Sequence, residues 1–535
     1  MALGVSPDAA LPPLPARISD IPRRWALQTP DALALRDGES EWTYRQLGEA
    51  ILDAKNYLHK IGVRAGDRVL IVNENCMAVV ALLFAVAELD AWFVLANARL
   101  SAREIDAIRD DCDARLMLFT NVVSPDAALH ARRLSAKQQH WNLIGELSVG
   151  KLNEICQPEA TFQSGDEQVA ALVYTTGTTG KPKGVMLTHH NLLHVATVSA
   201  TLRCLETSDR AYGVLPISHV YGMSSVTLGT LTAGACLQVA ARFSAQAAAN
   251  ALMFDGITVF QGVPAMYAKL IELVGDDKSF KAPLLHFTYA GGSPLDPALK
   301  ARSEARLGLT LHNGYGLTES SPTVSQTRLA RPRNDCSVGE VIPGVSVRTV
   351  DGEGNDVAIG EPGELWVRGP NVMKGYYRDA EMTRNVIHEG WLNTGDIARV
   401  DPDGALFIVG RSKELIIRSG FNVYPVEVEA VLNSHPAVSQ SAVVGRVVAG
   451  NEEVVAFVEL KPGQQATEEE IGAFAESQLS PYKRPCEIII MSVLPSAATG
   501  KILKGKLKEM AQGRANCAVA TTMQAAHDQP KKAGG

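Results

Sequence analysis

Cysteine is scarce in this sequence. Its 535 residues include eight cysteines, at positions 76, 112, 156, 204, 236, 336, 486 and 517, and the closest two are 517 − 486 = 31 residues apart. This spacing excludes a CxxC zinc or redox motif and disfavours a disulfide framework. We therefore expect inert thiols in a reducing cytosol, and a cytoplasmic protein.

The sequence also lacks a basic excess and a long apolar run. Lys plus Arg number 51 against 58 Asp plus Glu, for a net charge of −7 and a pI near 6.0, so nothing indicates nucleic acid or an anionic membrane as a partner. The most apolar stretch, Met77–Ala87, stops at Glu88 and predicts a buried helix rather than a membrane span. Residues Met1–Leu14 have prolines but no cationic segment, which argues against a signal peptide.

Length and pattern predict an α/β fold with several subdomains. Helical and strand patterns alternate through the first half, as in Arg68–Val72, Met77–Ala87 and Leu116–Thr120, which is typical of stacked, largely parallel βα sheets. After Ser337, short strands and turn signals predict a β-rich subdomain. We place a large N-terminal domain at residues 1–411, with the β-rich subdomain at about 337–410, a small α+β domain at 412–511, and a flexible tail at 512–535.

One glycine- and threonine-rich segment carries the most chemistry. Tyr174–Gly184 reads Tyr-Thr-Thr-Gly-Thr-Thr-Gly-Lys-Pro-Lys-Gly and follows a short apolar strand. Glycines let backbone N–H groups close on an anion, and threonine hydroxyls and lysine ammonium groups add donors, so the segment predicts a polyphosphate loop rather than a plain hairpin turn. It is not a Walker A loop, because Pro182 follows Lys181.

Further motifs follow this loop in a fixed order. They are Leu215–Gly222 (LPISHVYG), Ala290–Pro294 (AGGSP), Gly314–Ser320 (GYGLTES), Asn393–Asp396 (NTGD), Gly410–Leu415 (GRSKEL) and Ala498–Lys501 (ATGK). Together with the loop they resemble the adenylate-forming superfamily of AMP-binding enzymes, which includes acyl-CoA synthetases, 4-coumarate–CoA ligase and firefly luciferase. The resemblance covers about residues 25–510, with Thr176 where the family usually has Ser.

The resemblance implies a site for Mg·ATP. Tyr315 stands between two glycines, which leaves its ring free to stack on adenine. Thr175 and Glu319 are the implied Mg²⁺ ligands, and Thr318 the implied α-phosphate contact; one carboxylate suffices for a cation that shares phosphate oxygens. The implied nucleotide-binding set is Thr175, Thr176, Gly177, Thr178, Thr179, Gly180, Lys183, Gly291, Gly292, Ser293, Asn313, Gly314, Tyr315, Gly316, Thr318, Asp396, Ile408, Arg411, Lys413 and Lys501.

The C-terminal motifs imply catalysis by a mobile domain. Lys501 resembles the lysine whose ammonium group bridges the attacking carboxylate and the α-phosphate, two anions that otherwise repel each other. Asp396 and Arg411 are the implied ribose contacts, and Lys413 the implied hinge. After the hinge turns, Ser419, Gly420 and Phe421 are expected to line a coenzyme A tunnel.

The implied reaction is that of an acid–CoA ligase: a carboxylic acid and ATP give an acyl adenylate and pyrophosphate, and coenzyme A then gives the thioester and AMP. The implied acyl pocket is mostly apolar, aromatic or small and contains no Arg or Lys, which favours a hydrophobic monocarboxylate over a dicarboxylate. Fatty acids of medium or longer chain and hydroxycinnamate-type aryl acids both remain open. The pocket set is His219, Tyr221, Gly222, Ser225, Ala290, Gly291, Gly314 and Val324.

Several alternatives stay open at this point. His219 either packs as a pocket wall, or it takes part in catalysis by orienting the carboxylate, or it gates the pocket. The acceptor is either free coenzyme A, favoured because no carrier domain follows, or a carrier protein loaded by a fatty acyl-adenylate ligase. A non-catalytic relative is disfavoured because Lys501, Glu319 and the loop lysines are all present. Oligomeric state is open, although homodimers are common in the family.

Overall fold

The computed structural model describes residues 11–176, 182–419, 421–448, 451–496 and 502–514. The chain forms two compact units, of which the larger holds most residues up to Phe407 and the smaller most residues from Ile408 onward. No helix in the described part of the chain is both long and apolar enough to cross a membrane.

The elements alternate between strand and helix through the larger unit. The strands are β1 (Leu33–Asp37), β2 (Ser40–Thr43), β3 (Arg68–Asn73), β4 (Trp92–Asn97), β5 (Leu116–Phe119), β6 (Lys137–Trp141), β7 (Gly145–Val149), β8 (Val169–Thr176), β9 (Pro182–Thr188), β10 (Arg210–Gly213), β11 (Cys236–Val239), β12 (Val259–Gly262), β13 (Phe287–Ala290), β14 (Leu311–Gly316), β15 (Thr323–Gln326), β16 (Glu340–Val341), β17 (Ser346–Val350), β18 (Gly363–Arg368), β19 (Gly375–Tyr376), β20 (Ile387–His388), β21 (Trp391–Val400), β22 (Leu406–Arg411), β23 (Ile416–Arg418), β24 (Phe421–Val423), β25 (Val438–Val448), β26 (Asn451–Leu460) and β27 (Glu487–Met491).

The helices fill the connections. They are α1 (Asp20–Gln28), α2 (Tyr44–Lys60), α3 (Met77–Ala87), α4 (Ala102–Asp111), α5 (Pro125–Arg133), α6 (His189–Leu202), α7 (Gly229–Thr232), α8 (Ala245–Phe254), α9 (Pro264–Val274), α10 (Pro297–Leu307), α11 (Ala380–Val386), α12 (Pro425–Asn433) and α13 (Glu468–Gln478). A π-helix spans Tyr221–Leu228, short 3-10 helices span Thr318–Ser320, Ser412–Glu414 and Pro481–Lys483, and a final helical segment covers 504–514.

Two large sheets form the frame of the larger unit. One has eight strands in the order β19-β9-β8-β4-β3-β5-β7-β6, and the other nine in the order β16-β15-β14-β13-β12-β10-β11-β1-β2. Their central strands pair in parallel, as β3 does with β4 and β5 and β13 does with β12 and β14. Both faces of β3 are buried, which explains its continuous apolar run.

The predicted α/β class is confirmed, including the β-rich part. Strands β17, β18, β20, β21 and β22 form a separate five-stranded sheet, in which β17 and β18 pair antiparallel. The predicted helix Met77–Ala87 has those bounds and is buried along nearly its whole length. The sequence analysis did not find α1, whose apolar residues are few and interrupted by Pro22, Arg23 and Arg24.

Local capping fixes where several helices begin. Ser101 accepts from the backbone N–H of Glu104 while the Glu104 side chain accepts from Ser101, and Thr467 and Glu470 repeat this capping box in the smaller unit. The smaller unit contains a three-stranded sheet, β25-β26-β27, and the hairpin β23-β24. Its core includes the fully buried Phe457.

Three histidines of the larger unit are buried in a neutral state. Burial lowers the pKa of His189 to about 3 and that of His194 to about 4, and burial and the Lys300 charge lower the pKa of His312 to about 4. An unfolded histidine titrates near 6.5, so each group favours the folded state fully above that pH and loses its contribution as pH falls towards 4.

We therefore expect the free energy of unfolding to fall between pH 6.5 and pH 4, by about 1.4 kcal/mol per pH unit for each such histidine. Urea unfolding at several pH values gives the slope of the unfolding free energy against pH, which reports the number of protons taken up on unfolding. In the variant His194→Gln this number should be lower by about one. The variant His140→Gln, which replaces an exposed histidine by the same residue, serves as the matched control. Equal slopes in the wild type and His194→Gln would contradict the assignment.

Candidate active site

The two ends of the predicted polyphosphate loop lie on neighbouring, paired strands. Strands β8 and β9 pair antiparallel, with Thr175 opposite Lys183 and Thr176 opposite Pro182. Residues Gly177, Thr178, Thr179, Gly180 and Lys181 lie outside the described residues. The loop therefore begins where β8 ends and finishes where β9 begins, and these two strand ends are neighbours in the eight-stranded sheet.

Tyr376 connects two of the predicted site residues. Strand β19 pairs with β9, placing Tyr376 opposite Val185, and the Lys183 ammonium nitrogen lies 5.5 Å from the centre of the Tyr376 ring. The Tyr376 hydroxyl donates to Glu319 Oε1 at 2.8 Å. Burial, together with the Glu319 carboxylate, raises the pKa of Tyr376, so its hydroxyl stays protonated as a donor. The sequence analysis missed Tyr376, since its motif Gly-Tyr-Tyr is no different from an ordinary edge strand.

The predicted adenine motif forms the end of β14. Strand β14 pairs in parallel with β13, with Ala290 opposite Asn313, so the segment following β13 lies beside Gly314–Gly316. Ligands of open α/β sheets bind at the carboxyl ends of such strands. The predicted residues Gly291, Gly292, Ser293, Asn313, Gly314, Tyr315 and Gly316 all lie at or just beyond the ends of these two strands.

Side chains around these strand ends are held by specific contacts. Asn313 is buried, and its amide nitrogen donates to the carbonyl oxygens of Cys336 and Ser337, both at 3.2 Å. Thr318 and Glu319 belong to the 3-10 helix that begins directly after β14, and the Glu319 carbonyl accepts from Met373 N–H at 2.9 Å. Hydrogen bonds therefore hold Glu319 both at its backbone carbonyl and at its side-chain carboxylate.

Three of the predicted acyl-pocket residues, Tyr221, Gly291 and Gly314, lie next to Tyr289. Tyr221 begins the π-helix, and its ring meets Tyr289 edge-on at 6.2 Å between centroids. A Cβ atom on Gly291 would lie 3.3 Å from both tyrosine rings, and one on Gly314 would lie 1.8 Å from the Tyr289 hydroxyl. The two glycines therefore leave space that the tyrosine side chains use. π-Helices are rare and occur often at functional sites.

The other predicted pocket residues are placed as follows. Val324 and Ala290 are fully buried, and His219 Nδ1 accepts from Tyr221 N–H at 3.3 Å. A Cβ atom on Gly222 would lie 2.2 Å from the Pro216 carbonyl oxygen. The Ser225 hydroxyl accepts from Arg203 Nη2 at 2.8 Å. The predicted pocket set itself contains no arginine, but Arg203, which lies 22 positions before Ser225 at the end of α6, contacts it from outside that set.

The smaller unit holds the predicted ribose and hinge residues. Asp396 is almost fully buried and forms an ion pair with Arg411, whose Nε lies 2.9 Å from Asp396 Oδ1. Ile408 lies on β22 and Lys413 in the 3-10 helix Ser412–Glu414. The two predicted ribose contacts are therefore neighbours of each other.

The predicted tunnel residues lie at the turn between β23 and β24. Ser419 has a left-handed backbone with φ of +52°, and the exposed Phe421 stacks on Tyr482 at 4.7 Å. Gly420 and Lys501 fall outside the described residues. Near Lys501, the Lys504 ammonium group pairs with Glu429 at 2.8 Å and Glu414 at 3.2 Å.

The chain belongs to the AMP-binding enzyme family, the adenylate-forming superfamily of the sequence prediction. The sequence pattern of that family matches residues 22–377, and that of the AMP-binding enzyme C-terminal domain matches residues 427–501. The large α/β unit and the smaller second unit agree with solved structures of this superfamily.

Its relatives are acid–CoA ligases. The chain is 34% identical over 491 residues to a feruloyl-CoA synthase from Amycolatopsis sp, covering 91% of this chain and 97% of the relative. It is 31% identical over 512 residues to a 2-succinylbenzoate–CoA ligase from Geobacillus sp. (strain WCH70), covering 92% and 99%. Among solved structures it resembles o-succinylbenzoate coenzyme A synthetase from Bacillus subtilis in complex with ATP and magnesium ion, with a TM-score of 0.78, 27% identity and coverage of 91% and 99%.

The Tyr376 hydrogen bond generates a first prediction for the site. In Tyr376→Phe the Glu319 carboxylate loses a donor, so the Mg²⁺ concentration needed for half-maximal activity should rise about threefold to tenfold. Tyr377→Phe is the matched control, because the Tyr377 hydroxyl donates to Glu159 instead. The measurement is pyrophosphate release against Mg²⁺ at saturating ATP, and equal curves for the two variants would contradict the role of Tyr376.

Gly314 generates a second prediction. A methyl group there would overlap the Tyr289 hydroxyl, so in Gly314→Ala the catalytic efficiency for the acid should fall at least about tenfold. Gly352→Ala is the control, because its Cβ would meet nothing within 4 Å. The catalytic efficiency for the acid is measured by steady-state kinetics, with the acid concentration varied and the ATP concentration fixed. An efficiency in Gly314→Ala equal to that of wild type would show that Gly314 does not border the acid.

Proposed function

We propose that this enzyme, an ATP-dependent and AMP-forming acid–CoA ligase, activates an aryl carboxylic acid in preference to a fatty acid. The reaction forms an acyl adenylate and pyrophosphate, and then the thioester of coenzyme A with release of AMP. Support for the ligase comes from the family and from relatives named as ligases of feruloyl and succinylbenzoate groups. Support for an aryl acid comes from the edge-on pair of Tyr221 and Tyr289 beside Gly291 and Gly314.

The observation that carries the proposal is the arrangement of Lys183, Tyr376 and Glu319. A cation and a fixed carboxylate meet at one tyrosine, at the edge of the hairpin whose tip is the threonine- and glycine-rich loop. In the described residues no group of three or more His, Cys, Asp or Glu side chains could hold a metal ion. A cation that takes most of its ligands from phosphate oxygens and one from Glu319 fits this arrangement.

The chain's own residues then have distinct roles. Tyr315 stacks on adenine, Lys183 and the loop threonines hold the β- and γ-phosphates, and Thr318 contacts the α-phosphate. Asp396 accepts hydrogen bonds from the ribose hydroxyls, and its ion pair with Arg411 orients the carboxylate. When bound, Mg·ATP supplies the electrophilic α-phosphate and the pyrophosphate leaving group.

The positive charge of Lys501 reduces the repulsion between the acid carboxylate and the α-phosphate as the two anions approach each other. Rotation of residues 412–511 about Lys413 then withdraws Lys501 and brings Ser419, Gly420 and Phe421 to the path of coenzyme A. Free coenzyme A is the proposed acceptor. A cytoplasmic location remains a prediction of the sequence, which leaves the oligomeric state open.

The decisive measurement is pyrophosphate, AMP and thioester formation with Mg·ATP over a panel of acids, with and without coenzyme A. In Lys501→Ala, adenylate formation should fall about 100-fold or more, since the variant loses the charge that bridges two anions. Thioester formation from a supplied acyl adenylate should change less than about threefold in the same variant. Lys506→Ala is the matched control, because Lys506 is exposed in the same basic segment.

The outcomes separate the alternatives. Faster thioester formation with aryl acids than with the other acids would support the proposal. Faster thioester formation with long-chain fatty acids would overturn the proposed preference for aryl acids. Adenylate formation without any coenzyme A thioester would overturn the acceptor and favour a ligase that loads a carrier protein. Equal activity of Lys501→Ala and wild type would remove Lys501 from the first step.

A further inference from the structure

Arg203 is a buried cation without an acidic partner. It follows α6, is 1% exposed, and donates from Nη1 to the Ser225 carbonyl oxygen and to Gln261 Oε1. Its Nη2 donates to Ser225 Oγ at 2.8 Å and to Gln326 Oε1 at 3.4 Å. All four acceptors are neutral, and among the described residues no carboxylate forms an ion pair with this guanidinium. A buried charge normally has a counter-charge.

Arg68 shows how the same chain buries an arginine that has only a structural role. Arg68 is also fully buried, and its guanidinium donates to backbone carbonyls, including that of Cys112 at 2.9 Å. In addition, its Nη2 lies 3.5 Å from the Asp113 carboxylate. The contrast indicates that the counter-charge or acceptor for Arg203 is not part of the described chain.

Unpartnered polar atoms surround Arg203. They are Arg203 Nε, Gln261 Nε2 and Tyr221 OH, all of them buried and without a hydrogen-bond partner among the described residues. Gln261 accepts from Arg203 through its side-chain oxygen, which leaves its side-chain nitrogen as an unused donor. Most of these atoms are donors, so the cluster has an excess of donors over acceptors, and an oxygen-rich group would satisfy it.

The cluster adjoins the proposed acyl pocket. The Arg203 guanidinium lies over the Tyr289 ring at 4.4 Å, and Tyr289 in turn meets Tyr221 edge-on. The Tyr289 hydroxyl occupies the space beside Gly314, and Ser225 is itself a predicted pocket residue. The positive charge is therefore one aromatic ring away from the glycines at the strand ends.

We propose that Arg203, with Gln261 and Tyr221, selects acids whose end opposite the reacting carboxylate carries an oxygen acceptor, and that a negatively charged oxygen group is preferred. This inference rests on the proposed function, because it assigns the specificity of the same acyl site. It replaces the expectation of a plain hydrophobic acid with that of an aryl acid bearing a distal carboxylate or phenolic oxygen. Arg203 acts as a specificity residue and takes no part in the transfer of the acyl group.

A purely structural role for Arg203 has a different signature. A positive charge at the carboxyl end of α6 would stabilise that helix whatever the substrate. Its loss would then lower stability, and activity with all acids alike. Discrimination between matched acids is therefore the quantity to measure.

The test uses four cinnamic acids that differ only at the para position, where they carry hydrogen, methyl, hydroxyl or carboxylate. Catalytic efficiency is measured by thioester formation for wild type, Arg203→Met and Tyr221→Phe. We expect wild type to favour the carboxylate and hydroxyl acids over the methyl acid by about tenfold or more. Arg203→Met should lose this preference while its efficiency for the hydrogen and methyl acids stays within about threefold of wild type.

Two further variants keep the test decisive. Tyr221→Phe removes one unpartnered hydroxyl with little change of volume and should lower the preference for the hydroxyl and carboxylate acids, even where Arg203→Met does not fold. Arg68→Met controls for the loss of a buried arginine and should leave the preference unchanged. The inference about Arg203 would be overturned, and the proposed function kept, if wild type showed no preference for the hydroxyl and carboxylate acids. The same conclusion would follow if that preference were unchanged in both Arg203→Met and Tyr221→Phe. Absence of pyrophosphate and thioester with every acid would overturn the proposed function and the inference with it.

Discussion

The parallel pairing of β13 with β14 is the constraint on which the site depends. It sets Ala290 opposite Asn313, so two segments that are distant in the chain end at the same edge of the nine-stranded sheet. Strand β15 then returns antiparallel to β14, with Gly314 opposite Gln326 and Tyr315 opposite Ser325. The backbones approach closely enough that a Cβ atom on Gly316 would lie 1.9 Å from the Pro322 carbonyl oxygen. Glycine at 316 is therefore a packing requirement, in addition to its proposed role beside an adenine ring.

A second set of long-range pairings serves the phosphate end of the site. Strand β19 comes almost two hundred positions after β9 and pairs with it at the edge of the eight-stranded sheet. This pairing brings Tyr376 to Lys183, and the Tyr376 hydroxyl then reaches Glu319. Lys183 and Glu319, which come from two separate motifs, thus contact the same tyrosine. A hydrogen bond to a charged carboxylate is stronger than one between neutral groups, so a short edge strand has a direct effect on the proposed metal ligand.

Burial of charge explains why the acyl end differs from a plain hydrophobic pocket. Tyr221, Tyr289, Ala290 and Val324 make its surroundings apolar, and in such surroundings an uncompensated cation is costly. Arg203 nevertheless lies against Tyr289 with only neutral acceptors. In the proposed role this charge would discriminate between substrates more sharply than a charge at the surface, because water does not screen it.

Local patterns in the sequence determined the fold class and most of the named site. Apolar runs of strand length predicted buried parallel strands, and contiguous motifs predicted Tyr315, Glu319 and Asp396 as site residues. These signals are short in range, since each depends on residues a few positions apart. The α/β class and the family could therefore be predicted from the chain alone.

Only the tertiary structure decided which of these residues touch. Tyr376 and Arg203 carry no local signal, because one belongs to a two-residue edge strand and the other ends an ordinary helix. Their importance comes from neighbours that are between 22 and 193 positions away, such as Ser225 for Arg203 and Lys183 for Tyr376. Strand order and side-chain burial bring such residues together, and no short stretch of sequence specifies either.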